Sequence, residues 1–251
     1  MQRYFVQADK WTEYEVSLNS DDFHHVVNVM RMVVGDIILC SHPDGMTAKC
    51  KIQHIGTETV NAKIIEWIAD SAELPIKVSI AQGLPKGDKW EYILQKATEL
   101  GASELIAFQG DRSVVKWDEK KVIKKRPRWE KIVKEASEQA HRNKIPTVSG
   151  GVWTFDSLLE RSVHYDCKFF AYEEEVRDRQ SKKLHDYFSN INQGASVLIC
   201  IGPEGGFSEQ EATLLKKSSF QPVRFGPRIL RTETAPLYAL SSLSYYFEEM
   251  R

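Results

Sequence analysis

The strongest constraint on how this chain folds is a pair of strand–turn–helix units near its C-terminal end. The apolar run Ser196-Val197-Leu198-Ile199-Cys200-Ile201 leads into Gly202-Pro203-Glu204-Gly205-Gly206-Phe207. The run Pro222-Val223-Arg224-Phe225 leads into Gly226-Pro227-Arg228-Ile229-Leu230-Arg231-Thr232-Glu233-Thr234-Ala235. A glycine lets backbone approach a ligand because no Cβ stands in the way. Two such turns, about twenty residues apart, can meet at the C-terminal edge of a parallel sheet, where open α/β folds hold small ligands. Ser208-Glu209-Gln210-Glu211 forms a capping box, so a helix starts at once and holds the first turn from behind. Thr234 is placed to cap the last helix, with Pro236 in its first turn.

The rest of the chain supports this architecture. From Ile76 onward, strands and helices alternate: strands at 76–82, 104–108, 168–172 and 197–201, and helices at 87–100 and about 119–141. The second helix contains Pro127, which is expected to start or kink it. Such alternation implies a mainly parallel sheet covered on both faces. Residues 1–70 differ. Five short β-rich runs (3–6, 14–18, 36–41, 47–53 and 59–67) are separated by turn formers such as His42-Pro43-Asp44-Gly45, with a short helix over 20–31. A small closed barrel fits that pattern. Residues 70–75 read as a linker, giving domains at 1–72 and 73–251.

Composition narrows the function. Apolar residues make up 42 % of 251, enough to build cores for two domains. The net charge of -1 conceals a local excess: residues 111–144 hold twelve basic and six acidic side chains. A positive region of this kind suits a polyanionic partner, though taken by itself a solvated helix face is the better explanation. The four cysteines, Cys40, Cys50, Cys167 and Cys200, are scattered without a C-x-x-C pair, which points to reduced thiols and no metal site. No run is long and apolar enough to span a bilayer, and Met1–Val6 lacks the apolar stretch of a signal peptide, so the expected location is cytoplasmic. The dinucleotide and P-loop fingerprints are absent. Gly83-Leu84-Pro85-Lys86-Gly87-Asp88-Lys89 only approximates the latter, without its spacing or its Ser/Thr.

The paired C-terminal turns closely resemble the RsmE family, bacterial 16S ribosomal RNA uridine-N3 methyltransferases of the SPOUT superfamily. His25-Val26-Val27-Asn28-Val29-Met30-Arg31 with Gly35-Asp36, Lys96-Ala97-Thr98-Glu99-Leu100-Gly101 and Glu138-Gln139-Ala140-His141-Arg142 resemble the family's other motifs. The resemblance implies an α/β fold: a C-terminal SPOUT domain with a trefoil knot and a mainly parallel sheet, plus a small N-terminal PUA-like β-barrel. It implies S-adenosylmethionine as cofactor, 16S rRNA of the small ribosomal subunit as substrate, and a homodimer with no metal and no membrane. Carried over residue by residue, Ile201, Gly202, Pro203, Glu204, Gly205, Gly206, Phe225, Gly226, Arg228, Ile229, Leu230, Arg231 and Thr232 hold the cofactor. Arg231 and Glu233 are the catalytic candidates, with Glu138 and Arg142 completing the site from the same or the partner subunit. The RNA contacts are Arg3 and Arg31 from the barrel, and Lys116, Lys120, Lys121, Lys124, Lys125, Arg126 and Arg128 from the basic segment. His141 stands where the family commonly has a small residue, and Phe225 where it usually has Leu. A SPOUT enzyme acting on transfer RNA or a ribose 2′-hydroxyl, and a non-catalytic RNA-binding assembly factor, remain as alternatives.

Overall fold

A computed structural model describes residues 1–174 and 182–250. The chain divides into two units, Met1–Glu73 with Ser137–Ile145, and Leu74–Ala136 with Pro146–Arg251. Residues 137–145 therefore belong with the N-terminal unit, an excursion that a linear division at 72/73 does not contain.

The first unit is built on five strands: β1 (Arg3–Phe5), β2 (Glu15–Asn19), β3 (Ile37–Ser41), β4 (Thr47–Ile55) and β5 (Thr59–Ile68), in the order β1-β3-β4-β5-β2. Alternation along them turns Val16, Leu18, Ile38, Cys40, Ala48, Cys50, Ile52, Val60 and Ala62 into one buried cluster, as expected for strands with one solvated face. Shifts of register in the β4–β5 pairing, at Lys49/Cys50 and Ile52/His54, bend the sheet around that cluster. Helix α1 (Ser20–His24) continues as a π-helical turn to Val29 and contributes Val26 to the core. Arg31 follows with φ 53°.

The second unit is a six-stranded, wholly parallel sheet in the order β11-β9-β10-β6-β7-β8. Its strands are β6 (Lys77–Gly83), β7 (Glu104–Gln109), β8 (Thr147–Thr154), β9 (Cys167–Ala171), β10 (Ser196–Ile201) and β11 (Gln221–Val223). The helices are α2 (Lys89–Glu99), α3 (Glu119–Gln139), α4 (Phe155–Arg161), α5 (Leu184–Phe188), α6 (Glu209–Lys217) and α7 (Ala235–Ser244). The central strands β6 and β10 are buried almost throughout, and apolar clusters cover both faces of the sheet. Strand β8 was not expected. Its Gly150-Gly151 pair and half-exposed pattern disguise an edge strand.

Helix α3 runs through Pro127 instead of starting there. An interior proline costs about 3 kcal/mol. Packing offsets this: Trp129 is buried and lies 6.1 Å from Trp90 and 5.2 Å from Trp117, ring centre to ring centre. Beyond the end of α3, His141 has φ 55°, and the Arg142 amide donates to Ser137 O at 2.9 Å. This is a helix stop with a left-handed residue, which explains why a small residue suits the position; histidine tolerates that conformation better than a branched side chain does.

Candidate functional site

The order of strands places the site. From β6 the chain moves outward through β7 and β8, then crosses to β9 and returns to β10 beside β6, with Ile201 opposite Gln82. The C-terminal ends of β6 and β10 form the switch point where α/β sheets open a crevice. Gly83 ends β6, and a Cβ there would lie 2.5 Å from Pro203 Cδ and 2.6 Å from Pro203 N. Only glycine lets the first turn sit against β6.

The first turn is rigid. Gly206 adopts φ 68° and donates to Pro203 O at 2.8 Å. Behind it the capping box closes: Glu211 N donates to Ser208 Oγ at 3.1 Å, and Ser208 N donates to Glu211 Oε2 at 2.8 Å. Glu211 is buried, and its other oxygen accepts from the Asp111 amide at 2.9 Å. From the same loop, Arg112 donates to Gly205 O at 3.1 Å.

The second turn is joined to the first through Thr232. Its hydroxyl donates to Gly202 O at 2.7 Å and accepts from Gln82 Nε2, also at 2.7 Å. Gln82 is fully buried and Thr232 nearly so, so these bonds are sheltered from water. At the rim, Lys89 Nζ lies 3.0 Å from Glu204 Oε1 and 3.0 Å from Glu233 Oε2. Thr234 occupies the position before α7, but its backbone is already helical and its side chain makes no cap. The threonine that matters is two residues earlier.

Between the turns lies a cavity of about 490 Å³, within the range of small-molecule sites. Ile201, Phe207, Val223, Phe225, Leu230 and Ala235 form its apolar wall. Lys89, Arg112, Arg224, Arg228 and Arg231 line it together with Glu173, Glu174, Glu204, Glu209 and Glu233. Five cations and five carboxylates suit a ligand of mixed charge better than a polyphosphate. Burial pushes the Glu233 carboxyl up, but its backbone hydrogen bond, Lys89 and Arg231 outweigh that and leave it below the ordinary carboxylate value. Glu204 is lowered in the same manner, against desolvation, by the Lys86 amide and Lys89.

Residues 72–244 match the RNA methyltransferase domain family, and residues 18–65 match the RNA methyltransferase PUA domain family. The chain is 49 % identical over 254 residues to the ribosomal RNA small subunit methyltransferase E of Bacillus subtilis, covering 100 % of this chain and 99 % of that one. It belongs to the ribosomal RNA small subunit methyltransferase E family. The family member from Neisseria gonorrhoeae, solved bound to S-adenosyl methionine, is 26 % identical, with a TM-score of 0.84 over 98 % of both chains. A Legionella pneumophila structure in complex with the bound cofactor SAM is 31 % identical, with a TM-score of 0.82 over 97 % of both.

The cofactor candidates from Ile201 to Gly206, Phe225, Arg228 to Thr232, and the catalytic candidates Arg231 and Glu233, all line this cavity. Gly226 lies between them with φ 75°. Glu138 and Arg142 do not. Both belong to the first unit, where Arg142 is buried and held by Glu73 through two side-chain bonds, one of them Nε to Oε1 at 3.2 Å. Arg3, expected among the RNA contacts, is buried, and its NH1 donates to Ser41 Oγ, Thr47 Oγ1 and Arg142 O, so its guanidinium braces the N-terminal unit from inside instead of facing RNA. Arg31, Lys116, Lys120, Lys121, Lys124, Arg126 and Arg128 are exposed and Lys125 half-buried. Arg126 is engaged by Glu130 and Arg128 by Glu91. Gln82, Lys89 and Arg112 were not expected at the site. Their only trace in the sequence is a polar residue ending an apolar strand, the P-loop look-alike, and one arginine of the basic segment.

Proposed function

We propose that this chain is an S-adenosylmethionine-dependent methyltransferase acting on N3 of a uridine in 16S ribosomal RNA. The observation that carries this is the hydrogen-bonded junction of the two turns around a cavity of mixed charge at the switch point, in a chain whose relatives are solved with that cofactor. The residues fit the group. The apolar wall from Ile201 to Leu230 suits an adenine ring, the close-packed glycine turn leaves backbone facing the cavity, and the balanced charges suit an amino-acid tail. Bound there, S-adenosylmethionine supplies an electrophilic methyl carried on a sulfonium.

The protein's own task is to make uracil N3 a nucleophile. That atom is protonated and lies on the pairing edge, so the base must be unpaired or extruded. Arg231, exposed on the cavity wall, stabilises the negative charge that develops on a uracil carbonyl as the proton leaves. Glu233 stays ionised and is a weak base; it suits orienting Arg231 better than taking the proton. Lys116, Lys120, Lys121, Lys124 and Lys125 provide phosphate contacts, with Arg31 from the N-terminal unit. The same reading makes 1–72 an RNA-binding module and 73–251 the methyltransferase domain. It also takes the two turns as loops of a trefoil knot and the working form as a cytoplasmic homodimer. The test is calorimetry with S-adenosylmethionine, then methylation of small-subunit RNA, free and assembled, with analysis of the modified nucleoside. Methyl found on a ribose oxygen, or no transfer at all, would overturn the assignment.

A further inference from the structure

Lys89, the first residue of α2, reaches both turns at once. Its ammonium lies 3.0 Å from Glu204 of the first turn and 3.0 Å from Glu233 of the second. Glu204 Oε1 also accepts from the Lys86 amide at 3.1 Å, which anchors that carboxylate to the segment carrying Lys89. The side chains retain 30 %, 26 % and 19 % of their exposure for Lys89, Glu204 and Glu233, so solvent screens the trio only in part. The Gln82–Thr232–Gly202 bonds join the turns at the floor of the cavity, and Lys89 is the tie at its rim. Without the ammonium, two carboxylates on facing turns would repel each other across the opening.

We propose that Lys89 is a positioning residue for methyl transfer: it holds the rims of both turns at one separation and fixes the Glu233 carboxylate at the cavity opening. This deepens the reading above and rests on it. Lys89 acts through the two carboxylates it pairs with, so its effect is on cavity geometry first and on turnover second.

The experiment compares wild type with Lys89→Met and Lys89→Arg. Lys89→Met removes two partly exposed ion pairs, so the dissociation constant for S-adenosylmethionine should rise ~2–30-fold. In the cofactor-free protein, the amides of 204–206 and 231–233 should exchange faster with deuterium while those of β6 and β10 stay protected. Lys89→Arg keeps a cation that can bridge both carboxylates and should recover most of the affinity, which a merely space-filling role would not require. A double-mutant cycle of Lys89→Met with Glu204→Gln should show coupling in that affinity. Equal binding by wild type and Lys89→Met, with unchanged exchange at both turns, would overturn the role of Lys89 and leave the functional reading standing. A wild-type chain that fails to bind S-adenosylmethionine would overturn the functional reading, and the proposal with it.

Discussion

Thr232→Val isolates the bond that joins the two turns. Valine matches threonine in shape, so no cavity is created; only the hydroxyl is lost. Two hydrogen bonds of 2.7 Å disappear, one given to Gly202 O and one received from Gln82 Nε2. Gln82 Nε2 keeps Gly83 O at 3.0 Å, but Gly202 O retains only that same nitrogen at 3.4 Å, a poor geometry. At about 0.5–1.5 kcal/mol net for each bond, the loss comes to ~1–3 kcal/mol. In a chain of this size each kcal/mol shifts the melting temperature by about 2–4 °C, so Thr232→Val should melt ~2–12 °C lower. Replacing both partners with apolar groups should cost less than the sum, so Gln82→Met with Thr232→Val should be less than additive. Scanning calorimetry and urea unfolding measure both. A Thr232→Val protein that melts within about 1 °C of wild type would mean that the turns are held by something other than this junction.

Three further outcomes are expected. Arg231→Ala should lower kcat by about 10²–10³, the effect of removing one oxyanion donor, and lower it by more than it weakens cofactor affinity measured by calorimetry; an unchanged kcat removes Arg231 from the chemistry. The Lys89 cluster should be most stabilising between about pH 4.5 and 10.5. Glu204 and Glu233 are lowered, so their contribution is present above the ordinary carboxylate value and lost as pH falls through the lowered ones; Lys89 is raised, chiefly by Glu204, so its contribution is lost as pH climbs through its raised value. Lys89→Met should flatten the acid side of the stability profile, and an identical profile would contradict the pairing. Reversing Lys120, Lys124 and Lys125 to Glu should weaken RNA binding and reduce its salt slope by roughly 0.7–0.9 for each phosphate no longer neutralised, while an unaltered slope would return that face of α3 to solvent.

Local patterns in the chain were enough to specify the strand–turn–helix units, the Ser208–Glu211 box, the alternation that makes the sheet parallel, and the one-sided strands of the first unit. Each depends on residues within a few positions of one another, where periodicity and capping chemistry act directly. The two turns also carry the family's motifs, so most of the cavity lining was legible before the fold was known. Pairings across the chain decided the rest. Nothing near Gln82 says that its amide will meet Thr232, and nothing near Lys89 says that it will bridge two carboxylates more than a hundred residues away. Arg3 and Arg142 look like any basic residue until burial gives Glu73, Ser41, Thr47 and a carbonyl as their partners. Pro127 reads as a helix breaker until the Trp90, Trp117 and Trp129 cluster holds the helix through it. Spacing along the chain encodes which groups lie on one face of an element; which groups end up paired depends on how the elements pack, because a charge or hydrogen bond takes its strength from its partner and its distance from water.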